Sequence, residues 1–158
     1  TPAGKRLVTR EVHDGSIFGV MGLLGQTMQG NFAQTVRDSV LLTLSLHQMT
    51  AYLTSQPGAA LQVLEAVGTR LTEAEARLLE VAYYPVPVRV ARFLLARTSP
   101  SKPVLTNITQ DDVGDAVGAL RQTVAAALAR MRKDGLVRTG MRRIEVLARE
   151  QLEDIASM

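Results

Sequence analysis

An arginine and a glutamine, Arg121 and Gln122, stand side by side at the start of a predicted helix near the C-terminal end of this chain. The same helix turns Ala125, Ala126 and Ala129 outward, so its outer face carries two long polar side chains and little other bulk. A helix with such a face can lie deep in the major groove of DNA, where guanidinium and amide groups reach the base edges. These residues therefore favour sequence-specific recognition of DNA.

Two short helices must position these side chains. In the second helix Val124, Ala127, Leu128 and Met131 recur at i, i+3, i+4 and i+7, which predicts one buried stripe. Gly135 supplies a C-terminal stop for this helix.

The preceding helix has a similar pattern. Thr109 can serve as its N-cap, and Val113, Ala116 and Val117 fall on one helical face before Gly118 breaks the pattern. Two short helices separated by a glycine predict a helix-turn-helix. The alternative is an ordinary helical hairpin whose arginines are solvated.

The next segment, LVRTGMRRIEVL at residues 136–147, predicts a β-hairpin around Gly140. Apolar and polar residues alternate along each of its two arms. The basic residues at its tip and flank are Arg138, Arg142 and Arg143. A helix-turn-helix followed by a basic β-hairpin is typical of a winged helix. This arrangement disfavours the alternative of an ordinary helical hairpin.

Positive charge is concentrated in the same region. Residues 1–84 carry six Lys or Arg against seven Asp or Glu, whereas residues 85–158 carry twelve against eight. Between Ala119 and Arg149, eight basic side chains accompany only two acidic ones. Such a local surplus is the electrostatic footprint of phosphate binding, because a surface kept only for solubility mixes its signs.

Composition argues against several other classes of protein. The 158 residues include no cysteine, so they form no disulfide, no thiolate zinc site and no cysteine-bound iron–sulfur cluster. No catalytic constellation or glycine-rich phosphate loop stands out, and we predict neither an enzyme nor a metal site. His13 and His47 leave haem ligation as an alternative to an ordinary surface or core position. No apolar run approaches the roughly 20 residues that span a bilayer and no signal peptide is visible, so we expect a cytoplasmic protein.

The segment ITQDDVGDAVGALRQTVAAALARMRKDGLV, residues 108–137, resembles the DNA-binding motif of the cyclic-AMP receptor protein and fumarate-nitrate regulator family of bacterial transcription factors. Upstream, DGSIFGVMGLL resembles that family's β-roll signature, so the resemblance covers nearly the whole chain. It implies an α+β protein with a partial cyclic-nucleotide-binding-like β-roll (jelly roll) at residues 1–57, a dimerisation helix at 58–84 and a winged helix-turn-helix domain at 85–158. Further strands precede this point in the family, and the chain lacks an initiator methionine, so we expect a longer protein.

Two predicted elements lie upstream of the winged helix. Residues 36–46, VRDSVLLTLSL, predict a buried strand of the β-roll. Ala59 to Tyr83 predicts a long helix that ends before Pro85 and Pro87, which we interpret as a hinge. Its 3-4-3-4 spacing is typical of a coiled-coil seam, and the resemblance implies a parallel homodimer, whereas the alternative is a helix packed on its own β-roll. The seam residues are Leu61, Leu64, Gly68, Leu71, Glu75, Leu78 and Ala82.

The resemblance also implies roles for single residues. Arg121 matches the family's first base-reading arginine, whose fork suits O6 and N7 of guanine, and Gln122 replaces a glutamate, which makes adenine a reasonable partner. Thr123 would bind phosphate. Ala126 replaces a second arginine, and Leu120 replaces a capping serine. The predicted DNA-binding residues are Thr109, Arg121, Gln122, Thr123, Ala125, Ala126, Arg130, Arg138, Arg142 and Arg143.

The segment TSPSKPVLTN, residues 98–107, predicts an exposed loop. Relatives present a loop to RNA polymerase at this place, so Ser99, Ser101 and Lys102 are candidate polymerase contacts. A plain surface loop is the alternative.

The residues that bind cyclic AMP in the family are replaced here. At the positions that hold the ribose, the cyclic phosphate and adenine the chain has Val20, Gln29, Gly30, Ala74 and Glu75. No cationic residue lies within residues 11–36 to neutralise a buried phosphate. We therefore predict that cyclic AMP does not bind, and we predict no other cofactor.

Together these observations predict a homodimeric transcriptional activator that works without cyclic AMP and binds a two-fold symmetric promoter site in successive major grooves. The expected partners are double-stranded DNA, a second copy of the chain and RNA polymerase. One alternative is a regulator that responds to another small molecule. The other is a winged-helix module that holds a protein partner, for which Arg121→Ala would leave function intact and DNA binding would be weak and unselective.

Overall fold

A computed structural model of the protein describes residues 7–25 and 32–158. The chain divides into two compact units. One unit comprises residues 11–74, and the other comprises residues 75–158 together with the stretch that ends at residue 10. Within the described residues, no helix combines the length and the apolar character needed to cross a membrane.

The unit at residues 11–74 is built from helices. A short 3-10 helix spans Val20–Leu24, α1 spans Leu46–Ser55, and α2, which begins in this unit, spans Pro57–Tyr83. The described part of this unit contains no β-strand. The partial β-roll predicted for residues 1–57 is therefore not formed by the residues that the structure describes.

The strand predicted at residues 36–46 is wrong. Val36, Val40 and Leu42 are 98%, 101% and 91% exposed, so their apolar side chains have no core to enter. A strand is stable only when its backbone groups pair with a neighbour and one face is buried, and no described segment pairs with this one. The backbone instead turns into α1 at Leu46 through a capping box. There the Ser45 N–H donates to Gln48 Oε1 at 2.8 Å, and the Gln48 N–H donates to Ser45 Oγ at 3.2 Å.

The long helix predicted from Ala59 to Tyr83 is confirmed as α2, which begins two residues earlier at Pro57. Proline suits the first helical turn because its missing N–H has no partner there. All residues of the predicted seam are exposed, and Leu61, Leu64, Leu71 and Leu78 retain 60–69% of their accessible surface. The alternative in which this seam packs on the β-roll of the same chain receives no support, because the described residues leave the leucines uncovered.

The second unit has the element order of a winged helix. Its helices are α3 (Val86–Arg97), α4 (Gln110–Val117), α5 (Arg121–Lys133) and α6 (Arg149–Ala156). Its strands are β1 (Val104–Thr106), β2 (Val137–Gly140) and β3 (Arg143–Val146), which form an antiparallel sheet in the order β1-β3-β2. The helix-turn-helix and the hairpin predicted from the sequence are both confirmed.

One hydrophobic core joins these elements. The buried stripe predicted for α5 is confirmed, because Val124, Ala127, Leu128 and Met131 are all at most 6% exposed. From the other elements the core includes Val90, Leu94, Val113, Val117, Val137, Ile144, Val146 and Leu152. Each of the larger side chains contributes roughly 1.5–3 kcal/mol by leaving water, and together they fix α5 against α3 and α4.

The prediction of an exposed loop at residues 98–107 is partly wrong. Residues 104–106 form β1, in which Val104 pairs with Glu145 and Leu105 pairs with Ile144. Thr98 is buried, and its hydroxyl donates to the Leu94 carbonyl oxygen at 2.7 Å. Only the intervening residues form a tight turn at the surface.

Candidate nucleic-acid interface

A capping box begins α4. The Thr109 hydroxyl accepts a hydrogen bond from the Asp112 N–H at 3.1 Å, and the Thr109 N–H donates to an Asp112 carboxylate oxygen at 2.8 Å. The hydroxyl also donates to that oxygen at 2.7 Å. Thr109 is thus confirmed as the N-cap. Its hydroxyl is engaged with Asp112 in this structure, and its contact with DNA stays a prediction.

Two glycines allow α4 and α5 to approach closely. Gly118 ends α4 in the left-handed region at φ 66°, as the sequence pattern predicted, and its N–H donates to the Gly114 carbonyl oxygen. Gly114 was not singled out from the sequence, yet a Cβ at this position would lie 2.7 Å from the Ala119 carbonyl oxygen. The turn therefore packs directly on the α4 backbone, and this contact sets the start of α5.

The outer face of α5 is accessible along its length. Arg121, Gln122, Thr123, Ala126 and Arg130 are exposed, whereas Ala125, which was predicted to face outward, is half-buried. The helix has no side-chain cap at its N-cap residue, a leucine. The first turn of α5 therefore presents polar side chains and the positive end of the helix dipole to solvent.

An ion pair joins the two helices on this face. Arg121 Nε lies 3.7 Å from Asp111 Oδ2, and the side chains are 64% and 62% exposed. An exposed pair of this kind contributes at most about 1 kcal/mol. The same exposure leaves the guanidinium free to make further contacts. Nothing in the sequence pattern predicted this pair.

The wing is the β2–β3 hairpin, in which Gly140 pairs with Arg143 across a two-residue turn. Arg138 and Arg143 both approach Glu145 Oε2, at 3.3 and 3.4 Å, so one carboxylate offsets part of their charge. Arg142 pairs with no carboxylate among the described residues and has a φ of 50°. A left-handed arginine at a turn carries backbone strain, and this one places an uncompensated cation at the wing tip.

A cleft of about 340 Å³ lies between the helix-turn-helix and the wing. Four of the predicted DNA-binding residues line it: Thr109, Arg121, Arg142 and Arg143. Asp111 lines the same cleft and is the acidic residue of its wall. The fold thus brings the recognition helix and the wing to a common surface, although they are separate in the sequence.

Three other arginines hold the domain together instead of facing this surface. The Arg149 guanidinium donates to the Thr98 carbonyl oxygen at 3.0 Å and pairs with Glu153 at 3.0 Å, so its place in the basic cluster counted from the sequence is wrong. Arg92 Nε donates to the Ala156 carbonyl oxygen at 2.8 Å. Arg89 is only 8% exposed.

Arg89 binds the ends of two helices. Its Nε donates to the Tyr84 carbonyl oxygen at 3.1 Å, just past the end of α2. Its Nη1 donates to the carbonyl oxygens of Val117 and Gly118 at the end of α4, the second at 3.2 Å. A cation is stabilised there because the free carbonyl groups at a helix C-terminus carry partial negative charge. No local sequence signal distinguishes this arginine from an exposed one.

The candidate polymerase contacts form a compact turn. The Ser99 N–H donates to the Lys102 carbonyl oxygen at 3.1 Å, and the reciprocal bond is 3.0 Å. The Ser99 and Ser101 hydroxyls lie 3.0 Å apart. Ser101 and Lys102 are exposed and Ser99 is half-buried. Contact of this turn with RNA polymerase stays a prediction.

Three of the five positions aligned with the residues that bind cyclic AMP lie within the described part of the chain. Val20 is buried in the 3-10 helix, and Ala74 and Glu75 are exposed on α2. Gln29 and Gly30 lie outside the described residues. The described residues contain no group of three or more His, Cys, Asp or Glu side chains that could hold a metal ion.

The second unit, with its helix-turn-helix, its basic wing and the cleft between them, defines a winged helix-turn-helix domain. Residues 88–155 match the family model of the Crp-like helix-turn-helix domain. The chain is 30% identical over 142 residues to the cyclic AMP receptor protein of Thermus thermophilus, covering 90% of this chain and 66% of that protein. It is 23% identical over 144 residues to the CRP-like cAMP-activated global transcriptional regulator of Mycobacterium tuberculosis, covering 87% of this chain and 64% of that protein.

A solved structure assigned to the Crp/Fnr family of transcriptional regulators, from Eubacterium rectale, matches with a TM-score of 0.65 at 22% identity. The match covers 72% of this chain and 52% of that one and shows a shared fold. The chain thus carries a domain of the Crp-like helix-turn-helix family, and its curated relatives support a CRP/FNR family transcription factor. It spans slightly less than two thirds of the length of the two curated relatives named above.

Proposed function

We propose that this chain acts as a homodimeric regulator that binds a two-fold symmetric promoter site through α5 and the wing. The observation that carries the proposal is the shared cleft, where Arg121 of the recognition helix and Arg142 of the wing lie on one accessible surface. The Crp-like helix-turn-helix domain and the similarity to curated transcriptional regulators support the same function.

Recognition divides between base edges and phosphates. Arg121 and Gln122 lie in the exposed first turn of α5, from which a helix in the major groove reaches bases. Arg121 would bind O6 and N7 of guanine, and Gln122 would bind N6 and N7 of adenine. Thr123, Arg130 and Arg142 would contact phosphates, which set affinity but not sequence preference.

Dimerisation would use the exposed seam of α2. Four leucines that each keep at least 60% of their surface in water are unfavourable in an isolated chain, and a second copy of the helix would cover them. A parallel pair would present two recognition helices to half-sites about 34 Å apart, one turn of DNA.

The proposal that the protein acts without cyclic AMP rests on the residues that replace the family's cyclic-AMP-binding side chains. Val20 has no polar group with which to hold a ribose hydroxyl, and no cation within residues 11–36 compensates a cyclic phosphate. Activation would proceed through the turn at Ser99, Ser101 and Lys102, which would contact RNA polymerase.

Fluorescence anisotropy with a library-selected palindromic duplex tests the proposal, with and without cyclic AMP and at two salt concentrations. We expect selective binding that weakens with salt and does not respond to the nucleotide. Arg121→Ala should lower discrimination at one base pair of each half-site, at a cost of roughly 1–3 kcal/mol. Arg132→Ala is the matched control on the same helix and should weaken binding to all sequences alike.

Two results would contradict the proposal. Unselective binding at both salt concentrations would favour the winged-helix module that holds a protein partner, as would an Arg121→Ala variant with full function. Binding that appears only with cyclic AMP would refute ligand independence and leave DNA recognition intact.

A further inference from the structure

The acidic residue in the wall of the cleft has no place in the function described so far. Asp111 lies on the surface that would face the negatively charged backbone of DNA, where a carboxylate weakens binding to any sequence. Its nearest aspartate neighbour, Asp112, is bound to Thr109 in the capping box. Asp111 makes no such contact and instead pairs with Arg121. Asp111 would stabilise the N-terminus of α4 through the helix dipole wherever its side chain pointed. That role does not explain why its carboxylate lies opposite Arg121.

The atoms that form this pair are informative. Asp111 approaches Arg121 at Nε, the inner nitrogen of the guanidinium, at 3.7 Å. Apart from this ion pair, Arg121 has no partner among the described residues. A guanidinium has five N–H groups in a fixed plane, so a negative charge near Nε favours orientations of the plane that leave the terminal edge available. That terminal edge is able to form two parallel hydrogen bonds with O6 and N7 of guanine.

We propose that Asp111 is a positioning residue for base recognition: it holds Arg121 by Nε so that the terminal nitrogens face a guanine, and its charge disfavours contact with phosphate. The inference rests on the proposed DNA-binding function. Asp111 thus increases the difference in affinity between the correct site and other DNA, at the expense of total affinity.

The test compares wild type with Asp111→Asn, which keeps the side chain's size and removes its charge. Anisotropy is measured on the selected duplex, on a duplex with the guanine opposite Arg121 changed to adenine, and on a scrambled duplex. We expect tighter binding to the scrambled duplex and discrimination at the guanine that falls about two- to fivefold, the range that an exposed ion pair supports. Discrimination at other base pairs should not change.

The chain offers a matched control in a second exposed pair. Asp134 Oδ2 lies 4.0 Å from Arg130 Nε at the other end of α5, so Asp134→Asn removes the same charge from a similar contact. It should leave discrimination at the guanine unchanged. In an Arg121→Ala background, Asp111→Asn should still tighten binding to scrambled DNA but should no longer affect discrimination.

The outcomes separate this inference from the function on which it rests. A wild-type chain that binds all duplexes equally overturns both. A selective wild type whose guanine discrimination survives Asp111→Asn overturns only the role of Asp111. The same holds if Asp134→Asn lowers that discrimination equally, since charge alone would then explain the effect.

Discussion

Replacement of the buried arginine, Arg89→Met, should destabilise the winged-helix unit strongly. Methionine nearly matches the length of the arginine stem but donates no hydrogen bond. Arg89 donates to three carbonyl oxygens, those of Tyr84, Val117 and Gly118. Each bond to a charged donor contributes roughly 1.5–3 kcal/mol, which gives an upper bound near 9 kcal/mol. Two effects make the actual cost smaller: the variant no longer has to desolvate a guanidinium, and water can bind some of the freed carbonyl groups. We therefore expect the free energy of unfolding to fall by about 2–4 kcal/mol.

The measurement is urea denaturation followed by circular dichroism, with Arg132→Met as the control. Arg132 is exposed on α5 and makes no ion pair among the described residues, so its replacement should change the free energy of unfolding by less than about 0.5 kcal/mol. If the Arg89→Met loss is below about 1 kcal/mol, or equals that of the control, the helix ends do not depend on this guanidinium.

Three further predictions concern the turn, the wing and the seam. Gly114→Ala should lower the free energy of unfolding by roughly 1–3 kcal/mol, because its Cβ would lie 2.7 Å from a backbone oxygen. Gly58→Ala, an exposed position with open space in the first turn of α2 and outside the seam, should not lower the free energy of unfolding. A similar loss of stability in both variants would contradict the close approach at Gly114. Arg142→Gly should stabilise the chain by about 0.5–1 kcal/mol by relieving a φ of 50°, and Arg142→Ala should give no such gain. Leu71→Glu, at a 60% exposed seam position, should yield a folded monomer in sedimentation experiments. Gln62→Glu, which lies off the seam, should leave the dimer intact. If neither variant changes the sedimenting mass, the dimer interface lies elsewhere.

Much of the winged helix was predictable because its signals are local. The apolar spacing in α4 and α5, the Thr109 cap and the Gly118 break all act within one helical turn, so each can be recognised in a short window of sequence. One local signal was missed: Ser45 and Gln48 have the spacing of a capping box, which marks the start of α1 at the end of the predicted strand.

The remaining errors involve partners that are distant in the sequence. β1 has only three residues and exists because β3, about forty residues later, pairs with it. The same limit applies to Arg149, which was counted with the basic cluster although its guanidinium binds the carbonyl oxygen of Thr98, 51 positions earlier. Neither contact leaves a pattern in its own segment.

The sequence by itself determined which segments form the recognition helix and the wing, because helix periodicity, caps and turn glycines are properties of neighbouring residues. Only the tertiary structure decided what each arginine does. It placed Arg121 and Arg142 on one open cleft, and it buried Arg89 at the ends of two helices. The physical reason is that an arginine's role depends on its solvation and hydrogen-bond partners, and packing brings those partners from distant parts of the chain.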